Sequence, residues 1–185
     1  MTTHLSDCQL VSPTLALHEA FEAFVDDFVL YDGPNSAEYL PCMANFSEYI
    51  RMLKREGHHS NRSNSAILCH HFWLYHAKTE HIYGAIRIRH PLGNQFLRTE
   101  GGHIGYHISP SYRQQGLGKL MLKLALPKAK ELGIDKVLIT AKEDNMASRA
   151  IIEACGGRLE EIVYGPILGY RIARYWINLS GEHNQ

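Results

Sequence analysis

The stretch that most restricts what this chain can fold into is SYRQQGLGKL, residues 111–120. A strand-like run, GHIGYHI at 102–108, precedes it. After it, Leu117, Leu120, Met121, Leu124 and Ala125 follow the three-and-four spacing of a helix face. A strand-to-helix turn with two glycines suits an anion. Glycine lets the backbone turn tightly, and the first N–H groups of a helix lack internal partners. Three phosphate loops compete. A P-loop needs GxxxxGK and then Ser or Thr, but those positions here hold Arg113 and Leu120. A dinucleotide loop needs GxGxxG, and its third glycine is replaced by Met121. The pattern (Q/R)xxGx(G/A) is met by Arg113, Gln114, Gln115, Gly116, Leu117 and Gly118, with Lys119 and Lys123 as positive charges nearby. On these residues alone, an ordinary tight turn fits equally well.

Charge narrows the function classes. Lys plus Arg and Asp plus Glu number 19 each, which argues against a general nucleic-acid binder. The 185 residues, 45% apolar, are expected to form a single domain spanning 1–185, with its core at about 8–179. The first residues lack a signal-peptide layout, and no run is apolar enough to span a membrane. The expectation is a soluble cytoplasmic protein, a monomer or homodimer, without membrane or nucleic-acid partners. The four cysteines show no CxxC spacing, so no disulfide framework is expected. Cys69 and His70 are neighbours on a strand and point to opposite faces, so no metal is expected there.

The remaining pattern reads as alternating helices and strands. Helices are expected at 15–31, at 46–56, from about 116 to 132, and from 146, with Asp144 or Asn145 as cap. Pro127 should bend the third of these or end its regular part early. Strands are expected at 66–77, 82–90, 102–108, 135–141, 158–165 and 169–179. Ile86 and Ile88 alternate with Arg87 and Arg89, which implies a sheet covered on one face. The whole reads as an α/β fold with a mixed sheet and helices on both faces.

A second motif lies about thirty residues past the loop. The strand KVLITA leads to Asn145-x-x-Ser148 at a helix start, with Gly156 near its end. Together the two motifs resemble the GNAT superfamily of acyl-CoA-dependent N-acyltransferases over about residues 82–179. GHIGYHISPSYRQQGLG with the ending RYWINL is similar to a bacterial subgroup of predicted acetyltransferases. The resemblance implies a mostly antiparallel sheet whose middle strands, 103–108 and 136–141, splay to admit acetyl-CoA. It implies that the backbone of His107, Ile108 and Ser109 pairs with the pantetheine arm. The pyrophosphate would rest on the N–H groups of Gln114 to Lys119, with Asn145 bonded to the arm and Ser148 near its pyrophosphate end. A strand N–H near Ile108 would polarise the acyl carbonyl, and no metal is implied.

The implied reaction is direct attack of an amine on the thioester, in a ternary complex with a small amine or a peptide. An ammonium with pKa near 10.4 costs about 4–5 kcal/mol to deprotonate at neutral pH, so a base is useful. Many members place a tyrosine acid seven residues after the Asn and some a glutamate base five before it. Here these positions are Ile152 and Thr140. Glu100 and His103 are the substitute catalytic candidates, with Tyr106 next. The departure leaves a second reading, a non-catalytic acyl-CoA sensor with the same fold. The acceptor side is expected from the first two helices, the loop at 91–101 and the closing hairpin, with Arg89, Tyr164 and Tyr170 as polar contacts. The absence of a strong acidic cluster there disfavours a polycationic antibiotic.

Overall fold

A computed structural model describes residues 5–58 and 67–180. Seven strands form one sheet: β1 (Cys8–Val11), β2 (Leu68–His76), β3 (His81–His90), β4 (Ile104–Ile108), β5 (Lys136–Lys142), β6 (Arg158–Gly165) and β7 (Tyr170–Asn178). Their spatial order is β1-β2-β3-β4-β5-β7-β6. Every pairing is antiparallel except β4 with β5. The helices are α1 (His18–Tyr31), α2 (Gly33–Ser36), α3 (Leu40–Ala44), α4 (Phe46–Glu56), α5 (Leu117–Glu131) and α6 (Met146–Ala154). The α/β class, the mostly antiparallel sheet and the helices on both faces are as expected. Sequence reading missed β1, which is only four residues long, and the short α2 and α3.

Each face of the sheet has its own core. On one, α1 and α4, with Tyr39 just before α3, set Phe21, Phe24, Phe28, Tyr39, Phe46 and Tyr49 around Trp73 of β2. The Phe21 and Trp73 rings stack at 4.2 Å between centroids. On the other, Leu117, Met121, Leu122 and Ala125 of α5 pack on Ile86, Ile88, Ile104 and Val137 of the strands. The alternation in β3 sorts the two faces, but the expected uncovered face is covered as well. Ile86 and Ile88 face α5, while Arg87 and Arg89 face the α1–α4 layer rather than open solvent.

α5 runs through Pro127 to Glu131, close to the expected span, so its regular part does not end early; the lost N–H is one ladder bond, and buried Ala125 and Ala129 hold the helix against the sheet. The loop at 91–101 also contains a wide helical turn, Leu97–Gly101. It ends at Gly102, with φ +63°, where a Cβ would come 2.7 Å from the Leu138 carbonyl oxygen. Only glycine lets the chain enter β4 so close to β5. The polar segment GHHSNRSNS at 57–65, whose composition predicts a loop, lies outside the described residues beyond 58.

Candidate active site

β4 and β5 meet at a single registered pair, Ile104 with Ile139, and diverge beyond it. The result is a gap whose walls carry unpaired strand backbone. In a strand, successive residues turn their N–H and C=O to opposite sides. Arg89 N–H donates to His103 C=O (2.7 Å), and Ser109 N–H donates to Tyr83 C=O (2.9 Å). Residues 105, 107 and 109 and the His103 carbonyl thus turn to β3, while the His103 N–H donates to Leu138 C=O of β5 (2.8 Å) and Tyr106 and Ile108 turn to the gap. This corrects the expected stretch of His107 to Ser109: within it, only Ile108 offers backbone there. Its N–H is open to the gap, while its C=O accepts from Arg113 Nε at 3.1 Å.

The loop at the wide end is built from a distance. Asp27 on α1 accepts from the Ser109 hydroxyl, from the Ser111 hydroxyl and from the Ser111 N–H (3.0 Å). Burial opposes its charge, but the bonds from Ser109 and Ser111, aided by Arg113, hold its pKa below the ordinary value. Gln114 (φ +62°) and Gly116 (φ +81°) then turn the chain into α5. No side chain caps that helix, so its first N–H groups, from Leu117, Gly118 and Lys119, remain available to an anion. Arg113 is committed elsewhere: it pairs with Asp32 at 2.5 Å and lies over the Phe28 ring. Gly118 serves packing, since a Cβ there would meet Ile151 Cδ1 of α6 at 2.6 Å.

α6 supplies the other wall. Asn145 Oδ1 accepts from Ser148 N–H at 3.0 Å, capping the helix and leaving the Asn145 amide NH2 to donate. The Ser148 hydroxyl lies 3.1 Å from that of Tyr106. Burial pushes the Tyr106 pKa up to about 12, so it is a proton donor at neutral pH. Ile152 is fully buried in the core, as its lack of any polar group requires.

The two base candidates have other partners. Glu100, 2% exposed, accepts from Ile167 N–H (3.1 Å) and Leu168 N–H (2.8 Å), fixing the β6–β7 turn. Thr140 donates to the Glu100 backbone carbonyl at 2.6 Å. His103 sits at the closed end of the gap, where its Nδ1 accepts from Leu138 N–H at 2.9 Å. Burial, with His90 nearby, lowers its pKa to about 4. Its lone pair at Nδ1 is spent on the parallel junction. Sequence spacing could not show either donor, because Leu138 and Ile167 are far along the chain.

A cavity of about 450 Å³ opens on the α1–α4 side of β2, β3 and β4. Glu38, Tyr39, Arg87, Arg89, Gly105 and His107 form its polar part. His107 Nδ1 is 2.8 Å from the Tyr39 hydroxyl, and burial lowers its pKa. Arg89 lines this cavity. Tyr164 and Tyr170 do not line it, and the acidic residues Glu38 and Glu56 do. Cys69 and His71, two apart on one face of β2, also converge with Glu56 of α4, their ligand atoms lying within 4.8 Å of one another. His71 Nε2 and Glu56 Oε2 are 2.6 Å apart. Burial would lower the His71 pKa, but the bonds to Cys69 and Glu56 prevail and raise it to about 9. The sequence reading compared Cys69 with its neighbour His70 and so overlooked this set.

A family model described as an acetyltransferase (GNAT) domain matches residues 17–158. No curated protein sequence matches the chain. Solved structures with the same fold include a spermidine N-acetyltransferase SpeG chimera from Vibrio cholerae, at 15% identity and TM-score 0.66, covering 97% of this chain and 99% of that one. The ribosomal alpha-N-protein acetyltransferase RimL, in complex with coenzyme A, matches at 15% identity and TM-score 0.65 over 94% of this chain and 95% of its own. The microcin C7 self-immunity acetyltransferase MccE, in complex with acetyl-CoA and AMP, matches at 14% and TM-score 0.63 over 93% and 92%.

Proposed function

The chain belongs to the GNAT acetyltransferase family, the acyl-CoA-dependent N-acyltransferases, and we propose that it acetylates a primary amine by direct attack in a ternary complex. The observation that carries this reading is the gap between β4 and β5, which joins an uncapped helix N-terminus at one end to a polar cavity on the opposite face. The open N–H groups at Leu117 to Lys119 suit a pyrophosphate, and the Asn145 NH2 and the backbone of Tyr106 and Ile108 suit a pantetheine arm. Acetyl-CoA supplies the activated acetyl group: the acceptor ammonium first gives up one proton, its nitrogen bonds to the acetyl carbon and loses a second proton, the carbon–sulfur bond breaks and one proton reaches the sulfur, with a net release of one proton.

The chain's own groups fit those proton movements. His107 faces the cavity and is neutral at neutral pH, so it accepts the ammonium proton. Tyr106, one residue earlier, points to the opposite face and donates to the sulfur, held by Ser148. A strand N–H at Ile108 or Tyr106 polarises the acetyl carbonyl. Glu100 and His103 position the frame around the gap. The test is acetyl-CoA consumption, read as free thiol, over a panel of amines and N-terminal peptides, with the acetylated product identified by mass. Tight CoA binding without any acetylated product would contradict the reading in favour of a sensor.

A further inference from the structure

Two guanidinium groups crowd one backbone position beside the gap. Arg87 and Arg89 extend from β3 across β4 toward Gly105. A Cβ at Gly105 would lie 3.1 Å from Arg87 Nε and 3.5 Å from a terminal nitrogen of each arginine. The absent side chain keeps both cations at the floor of the cavity, despite their mutual repulsion.

The two carboxylates that share the cavity with them, Glu38 and Glu56, are both paired with groups other than Arg89. Arg87 pairs with Glu38 through NH1, yet its buried Nε has no hydrogen-bond partner. His71 pairs with Glu56. Arg89 has no carboxylate within ion-pair distance among the described residues; its hydrogen bond runs from NH1 to the Gly101 carbonyl at a long 3.4 Å. Burial and then the neighbouring Arg87 pull its pKa below the usual guanidinium value, and the weaker opposing attraction of Cys69, Glu38 and Glu56 does not offset them. A half-buried cation beside a second cation is unfavourable unless an anion completes the site.

We propose that the acceptor completes it: the substrate is an amine that also carries a carboxylate, bound by Arg89 with help from the open Nε–H of Arg87. This rests on the N-acetyltransferase reading above. A guanidinium fork matches a planar carboxylate in two parallel bonds. The position also limits the spacer. Arg89 reaches Gly105, and Tyr106, the next residue, opens its backbone to the gap. The carboxylate and the attacking nitrogen are therefore only a few bonds apart, as in an amino acid or a short acidic N-terminal peptide. Tyr49, Met52, Leu53 and Trp73 on the cavity wall suit an apolar side chain. Polyamines, which bring further cations to Arg89, are disfavoured.

The test compares apolar amino acids, their decarboxylated amines, their amides and peptides with an acidic second residue. kcat/KM for acetylation is measured alongside binding of the same compounds to CoA-saturated protein by calorimetry. The parent should prefer the carboxylate-bearing member of each pair by roughly 10- to 100-fold, the worth of a charged hydrogen-bonded contact. Arg89→Gln should erase that preference with CoA affinity and melting temperature unchanged, and Arg89→Lys should restore part of it. If the free acid is the source, the amides fall with the amines; if a peptide is, the acidic peptides lead. Carboxylate-dependent binding without turnover would sink the catalytic reading and sustain this site. Turnover on amines with equal rates for both members of each pair would overturn the carboxylate site alone. If no carboxylate-bearing compound binds or reacts, the proposal is wrong.

Discussion

The hydroxyl groups of Tyr106 and Ser148 lie 3.1 Å apart, joining the strand on one side of the gap to the first turn of α6 on the other. In the proposed mechanism Tyr106 supplies the proton that Ile152 has no group to give. Tyr106→Phe should lower turnover by roughly 100-fold, as loss of a general acid does, with little change in the CoA dissociation constant. With its pKa near 12, Tyr106 adds no alkaline fall in rate up to about pH 10. A variant with parental turnover would remove Tyr106 from the mechanism. Stopped assays of thiol release beside calorimetric CoA binding separate these outcomes.

The acidic limb of the rate profile distinguishes two histidines. His103, with a pKa near 4, is already neutral through the working range, so His103→Gln should leave the limb in place while lowering stability. His107→Gln should lower turnover and flatten the limb. The opposite pattern in pH–rate profiles would return the base to His103.

Asp27 links α1 to the anion loop and should make loop order depend on pH. Its pKa is lower in the folded protein than in the unfolded chain. Its contribution is therefore present above the unfolded value, near pH 4, and is lost as pH falls through the folded value. Asp27→Asn should lower the melting temperature at pH 7 and weaken CoA binding, with the difference from the parent shrinking below about pH 4. Melting curves from pH 3 to 7 test this; a pH-independent difference would contradict it.

Gly102 is the backbone position on which the parallel junction depends. Gly102→Ala combines a positive φ with a 2.7 Å approach to the Leu138 carbonyl oxygen. The expected loss is about 1–3 kcal/mol, visible as a lower midpoint in urea. An unchanged midpoint would show that the junction has slack.

The elements carrying local signals were legible in the sequence. Gly116 and Gly118 mark a strand-to-helix turn, Asn145 marks a cap three residues before Ser148, and the Ile86/Arg87 alternation sorts the faces of β3. Less legible was what crosses the chain. Asp27 reaches Ser109 and Ser111 across more than eighty residues. Glu100 and His103 read as free acid–base groups only because their partners, the N–H groups of Ile167, Leu168 and Leu138, have no signature of their own. The cavity is likewise assembled from α4, β2, β3, β4 and the turn at 37–39, so Glu38 and His107 gave no pattern to find. That His107 and Tyr106 point to opposite faces follows from strand alternation, and this was the available signal.

The central claim is that the gap between β4 and β5 holds acetyl-CoA while an amine attacks from the cavity face. Its most direct measurement is single-turnover transfer from labelled acetyl-CoA, comparing the parent with Gly116→Asp. Gly116→Asp sets a carboxylate at the uncapped start of α5. The account predicts label on the amine nitrogen in the parent. In the variant it predicts a strongly raised CoA dissociation constant, with transfer recovering only at high acetyl-CoA. Label released as free acetate with none on any amine, or equal CoA affinity in the two proteins, would contradict it.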